Sequence, residues 1–161
     1  MVRLAKKEDL SRILEIYQTA REFMIANGNE TQWGEAFPPK DLLEEDIEKH
    51  QLYVIEKENE IHGVFAFIIG EDETYQKIEN GNWLSKEIYG TIHRLASDGK
   101  TKGIFAECIE YCQKQISHIR IDTHHNNKIM QHLITKHGFK ECGIIYVEDG
   151  TPRIAYELCL T

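Results

Sequence analysis

The spacing of apolar positions changes repeatedly along the chain, and each change marks an element. Met1 to Ala5 reads as a short strand. Leu10, Ile13, Leu14, Tyr17 and Met24 then recur at three- and four-residue intervals, the mark of one helical face, and Asn27-Gly28 supplies a stop. Asn29 to Phe37 is a loop closed by Pro38-Pro39; its Trp33 either packs that loop or lines a ligand pocket. A second helix, Lys40 to Lys49, buries Leu42, Leu43 and Ile47. Gln51 to Glu56 and Ile61 to Gly70 read as strands joined in a hairpin by the charged turn Lys57 to Glu60.

Glu71 to Lys86 is a long polar connection carrying Tyr75, Gly81 and Trp83, which predicts a functional flap or a packed surface loop. A strand from Glu87 to Ser97 leads through a short loop to a helix, Gly103 to Gln115, with Ile104, Cys108, Tyr111 and Cys112 on one side. Ser117 to Thr123 is a further strand. Asn126 to His137 is a helix with Ile129, Met130, Leu133 and Ile134 inward, ended by Gly138. Lys140 to Val147 and Arg153 to Leu160 close the chain as strands about the turn Glu148 to Thr151. The order β-α-α-β-β-β-α-β-α-β-β sets antiparallel hairpins at both ends and strand–helix–strand crossovers between them. The expected class is α/β, a mixed sheet of about seven strands with about four flanking helices, forming one domain over residues 1–161.

Composition narrows the setting. Hydrophobic residues make up 41% and charged residues 29% of the chain, as in ordinary soluble proteins. No apolar run reaches bilayer length and MVRLAKKEDL has no signal-peptide core, so the expectation is a cytoplasmic protein without a membrane partner. The four cysteines show neither C-x-x-C nor zinc spacing and are read as reduced core thiols. A net charge of −8 argues against nucleic acid and mildly favours a cationic ligand such as an amine.

The stretch YGTIHRLASDGKTKGIFA, Tyr89 to Ala106, carries the chemistry. A strand, a loop with Gly99 and Gly103, and a helix N-terminus together make an anion site, to which Lys100 and Lys102 add charge. The full nucleotide P-loop pattern G-x-x-x-x-G-K-[ST] is absent, since no Lys-Ser/Thr follows Gly103, and so is the dinucleotide G-x-G-x-x-G. Asp122, His124 and His125 lack a third ligand at suitable spacing, since His132 and His137 point elsewhere on their helix, so no metal is expected. The serines show no nucleophile elbow.

Asp98-Gly99-Lys100-Thr101-Lys102-Gly103 resembles the acyl-coenzyme A loop of the GNAT N-acetyltransferase superfamily, Arg/Gln-x-x-Gly-x-Gly/Ala, with Asp98 and Thr101 departing from it. Asn127, Met130 and Gly138-Phe139 resemble its Asn-x-x-Ala…Tyr-x-x-x-Gly-Phe segment, with Ile134 at the tyrosine, and the element order resembles that fold over nearly the whole chain. The resemblance implies the GNAT acyl-CoA N-acyltransferase fold, acetyl-CoA as cosubstrate and direct transfer to the amine of a small molecule. The alternative is a GNAT-like module that binds acyl-CoA as a sensor or scaffold without efficient turnover. The resemblance also admits a homodimer.

By the same resemblance, Leu95, Ala96 and Ser97 would bind the pantetheine arm. Lys100, Thr101, Lys102, Gly103 and Ile104 would hold the pyrophosphate, with Asn127, Lys128 and Met130 beside the cofactor. Alternation puts Tyr89, Thr91, His93 and Leu95 on one strand face. His93 matches the histidine that arylalkylamine acetyltransferases carry two residues before this leucine, and a reference pKa of about 6.5 suits a general base. Tyr146 or solvent would return a proton to the leaving thiolate. Trp33, Trp83, Thr91, Asp122 and His124 are expected around the acceptor.

Overall fold

The computed structural model describes residues 1–160. Seven strands form one sheet: β1 (Val2–Leu4), β2 (Leu52–Lys57), β3 (Glu60–Ile69), β4 (Gly90–Ser97), β5 (His118–Thr123), β6 (Lys140–Tyr146) and β7 (Pro152–Cys159). The four α-helices are α1 (Leu10–Ala26), α2 (Lys40–Glu48), α3 (Ile104–Gln113) and α4 (Lys128–Lys136). Single 3-10 turns occupy Lys7–Asp9 and Glu73–Tyr75. The strand order is β1-β2-β3-β4-β5-β7-β6. Every neighbouring pair is antiparallel except β4 and β5. The mixed sheet with four helices agrees with the sequence expectation.

Strand alternation divides the core into two layers. Phe65, Phe67, Ile92, Ile119 and Ile121 meet Ile104, Phe105, Cys108, Cys112 and Ile134 of α3 and α4. On the other face Leu52, Val54, Val64, Ala66 and Ala96 meet Ile13, Ile16 and Tyr17 of α1 and Leu43 and Ile47 of α2. Ile129, expected inward, is 46% exposed. On α4 the buried stripe is carried by Ile134, flanked by Met130 and Leu133, and a nine-residue helix has no room for a wider one. The four cysteines are free. No helix among the described residues is long and apolar enough to cross a membrane.

The connection from Gly70 to Tyr89 packs on the sheet rather than standing off it. Tyr75, Tyr89, Ile145 and Ala155 form a third buried cluster, bordered by Ile78, Trp83 and Val147. Glu79 and Ile144 exchange both backbone hydrogen bonds, at 2.9 and 2.8 Å. Gly81 is required by this docking, since a Cβ there would collide with the Cys142 carbonyl. The obstacle is backbone, so the loop must lift to accept any side chain. Gly81→Ala is expected to lower stability by about 1–3 kcal/mol, read as a reduced urea midpoint. A wild-type midpoint would show that the loop is not held in this way.

Candidate active site

The parallel pair β4–β5 is joined only at Gly90↔Ile119 and Thr91↔Arg120, although both strands run on. Beyond that point they part, and a cavity of about 760 Å³ opens against Ile92, His93, Arg94 and Leu95 on one side and Ile121, Asp122 and Thr123 on the other. Trp33, Asp72, Asn127, Met130, Glu148, Asp149 and Arg153 also line it. Its size is that of a small-molecule site.

β4 is bulged where it borders the cavity. Ala66 pairs with His93 but Val64 with Ala96, so Arg94 and Leu95 together oppose Phe65. Arg94 has φ +55, a left-handed conformation unusual outside glycine. Two partners hold it. Its guanidinium meets buried Asp46 in a two-pronged pair, Nε to Oδ2 at 3.0 Å and Nη2 to Oδ1 at 2.9 Å. The Tyr17 hydroxyl donates to the Arg94 carbonyl at 2.6 Å. The extra residue corrects the expectation that His93 and Leu95 share a face. His93 lies opposite Ala66 on the α1–α2 side, whereas Leu95 packs with the α3–α4 core.

His93 is tied to the loop after β3, its Nε2 lying 2.8 Å from Asp72 Oδ2. Asp72 Oδ1 accepts from the amide and hydroxyl of Thr74, at 2.9 and 2.7 Å. Burial alone pushes the Asp72 carboxyl up, but the bonds from His93 and Thr74 outweigh it and bring it down to about 2. Tyr75 donates to Asp122 Oδ2 at 2.6 Å, and Arg153 Nη1 stands 3.7 Å from the other carboxylate oxygen.

At the far end of the gap, α3 starts at Ile104 after Gly103, which has φ +83. The first helical bond runs from the Glu107 amide to the Gly103 carbonyl, leaving the earlier amides outside the ladder. Asp98 organises the loop before it. Its Oδ1 accepts from the Lys100 amide at 2.9 Å, and its Oδ2 meets Arg12 at 2.6 Å and His62 Nδ1 at 2.7 Å. The Gly99 amide bonds Ser97 Oγ.

No family model matches the chain, and neither does any curated protein. Solved structures do match. A GNAT-family acetyltransferase from Streptococcus agalactiae 2603 superposes with a TM-score of 0.91 at 26% identity, covering 100% of this chain and 95% of its own. A Staphylococcus aureus Mu50 protein assigned as an acetyltransferase is 30% identical over 100% of this chain and 99% of its own, with a TM-score of 0.73. The chain belongs to the GNAT acetyltransferase family. At the level of fold alone it is also similar to yncA of Salmonella typhimurium, solved with its cofactor acetyl-CoA (TM-score 0.62, 16% identity, 100% and 94% coverage).

In this GNAT chain the cavity gathers His93, Leu95, Asn127, Met130, Trp33 and Asp122. Asn127 caps α4, its Oδ1 accepting from the Met130 amide at 3.1 Å and its Nδ2 donating to Gln32. Lys128, Lys102 and Gly103 are exposed, and Ala96 and Ile104 are buried in the two core layers. Lys102 offers its carbonyl to Lys57 Nζ. The Lys100 amide, expected on a pyrophosphate, is already taken by Asp98.

Besides the cofactor-loop residues, the expected proton donor Tyr146 and the expected acceptor residues Trp83, Thr91 and His124 do not line the cavity. Tyr146 is 43% exposed and donates to Glu79 at 3.0 Å, because its position on edge strand β6 turns it outward. Trp83 donates to the Tyr75 carbonyl and stacks on Arg120, whose guanidinium lies 4.0 Å from the ring centroid. Thr91 is buried where β4 and β5 are still paired. His124 is buried against Thr31 and the Asn126 amide; burial, then His125 and Arg153, hold its pKa below the usual range. Asp72, Asp46, Arg94 and Arg153 carry no motif, and only the folded chain reveals their partners.

The Asp72 carboxyl is depressed from 3.8 to about 2, so it contributes stability at pH values above 3.8 that is lost as pH falls toward 2. Asp72→Asn should therefore unfold at lower urea than wild type at neutral pH, and the gap should narrow as pH drops below about 4. A gap independent of pH would deny the carboxylate this role.

Proposed function

We propose that this GNAT acetyltransferase moves an acetyl group from acetyl-CoA directly to the amine of a small molecule. The observation that carries the reading is the His93–Asp72 pair facing the gap between β4 and β5. Acetyl-CoA supplies the acyl group as a thioester. The residues at the α3 end suit its pyrophosphate: amides outside the helical ladder, Lys100 and Lys102 beside them, and a buried Thr101 hydroxyl without a partner. The Asp98 carboxylate beside that site is paired with the Arg12 guanidinium and bonded to His62 Nδ1. Leu95 to Ser97 receive the pantetheine arm, with Asn127, Lys128 and Met130 alongside.

A protonated amine cannot attack and must first lose its proton. With its Nε2 proton held by Asp72, His93 keeps Nδ1 free to take that proton, directly or through water. The amine nitrogen then bonds to the acyl carbon as the carbon–sulfur bond breaks. The bulge at Arg94 and Leu95 offers backbone to the developing oxyanion. Ile134 is wholly buried and carries no proton to give, so the thiolate is protonated from solvent. On the acceptor side the cavity is enclosed by Trp33 and by the turn bearing Glu148 and Asp149. Those two acids make no ion pair among the described residues, which favours a cationic amine.

Isothermal titration with acetyl-CoA, run beside thiol release against small amines, amino acids and polyamines, tests the reading. The expected result is micromolar binding and amine-dependent release. Binding without release for any amine would favour a sensor or scaffold module instead. His93→Ala should cut turnover by about 10²–10⁴-fold while leaving acetyl-CoA affinity unchanged. Unchanged turnover would remove His93 as the base.

A further inference from the structure

His118 and Cys159 face each other across the β5–β7 ladder, and Arg120 and Glu157 form the next pair on the same face. The group stands at the end of β5 away from Asp122 and takes no part in the chemistry above. Glu157 is wholly buried. Its Oε1 is provided for, accepting from the Leu84 amide at 2.9 Å with Arg120 Nε at 3.4 Å. Its Oε2 is not: the donor that reaches it is the Cys159 thiol at 3.7 Å, a weak contact for a carboxylate removed from water.

His118 Nδ1 lies 3.2 Å from Cys159 Sγ and 3.9 Å from Glu157 Oε2. A histidine serving only to neutralise the carboxylate would sit closer to oxygen than to sulfur, and here the order is reversed. The imidazole nitrogen, thiol sulfur and carboxylate oxygen instead converge, all within 4.8 Å of one another. Ligand bonds of roughly 2.0–2.3 Å around a tetrahedral ion set neighbouring donors about 3.2–3.8 Å apart.

We propose that His118, Glu157 and Cys159 bind a thiophilic divalent cation of the zinc class, with the fourth position open to solvent. One sulfur and one imidazole among three donors favour zinc over magnesium or calcium, which seek oxygen alone. The dication balances the Glu157 carboxylate and the Cys159 thiolate, and the thiol proton leaves to buffer. Because Glu157 also holds the Leu84 amide and Arg120 the Ser85 carbonyl, the ion fastens the Gly70–Tyr89 connection to the sheet. The ligands come from two strands and lie 41 residues apart, so no spacing motif announces them.

The test uses the metal-free full chain and cobalt(II) as the probe. The expected result is a thiolate-to-cobalt charge-transfer band with visible bands of tetrahedral cobalt, displaced by one equivalent of zinc. Cys159→Ser should abolish the charge-transfer band and Cys142→Ser should keep it. His118→Gln should weaken zinc binding by at least about 10-fold and erase the rise in Tm that zinc produces in wild type. If Cys159→Ser fails to fold, the wild-type titration and His118→Gln still decide. Absence of the band in wild type, or its survival in Cys159→Ser, would overturn the proposal. Neither readout depends on acetyl transfer.

Discussion

The buried pair between Asp46 and Arg94 is the interaction on which the site depends. A left-handed residue other than glycine costs on the order of 1–2 kcal/mol, and β4 accepts that cost at the centre of the sheet. It is offset by the two-pronged bond to Asp46 and by the Tyr17 hydroxyl on the Arg94 carbonyl. Both partners come from the helical layer, Tyr17 from α1 and Asp46 from α2. Packing of these helices and the irregularity in β4 are therefore one event. Its geometric result is a one-residue shift that turns Leu95 to the α3–α4 face while His93 stays on the other.

The connection between β3 and β4 covers the half of the sheet that α1 and α2 leave open. Its aromatic residues do so by enclosing a charge: the Arg120 guanidinium lies 4.0 Å from the Trp83 ring centroid and 3.8 Å from that of Tyr89. Such contacts gain strength when the cation is dry. The same segment supplies Asp72 to His93 and the Tyr75 hydroxyl to Asp122, so its anchoring and the polar lining of the cavity are coupled. Asp98 shows a similar economy at the other end. It departs from the family's loop pattern, yet it organises the loop by taking the Lys100 amide while Arg12 balances its charge and, with His62, bonds its other oxygen.

Element order, the number of strands and the four flanking helices were legible in the sequence. Periods of two and of three to four residues are local properties, and the core uses them directly. The strand, loop and helix start of Tyr89 to Ala106 were legible because one continuous segment carries them. The sharing of a face by His93 and Leu95 was read wrongly, since strict alternation cannot register a bulge held in place by residues 46 and 17. The sequence suggests Tyr146 as a proton donor and Trp83, Thr91 and His124 around the acceptor, yet none of the four lines the cavity. Their orientation depends on which sheet edge, loop or core layer receives them.

The sequence by itself determined the fold class and the family of chemistry, because hydrophobic period and the loop before α3 are encoded locally. Only the tertiary structure decided the pairings: Asp72 with His93, Asp46 with Arg94, Arg12 and His62 with Asp98, and His118 with Glu157 and Cys159. Each joins residues that are distant in the chain or on different elements. What makes such pairs strong is the exclusion of water around them, and that exists only after the chain has folded.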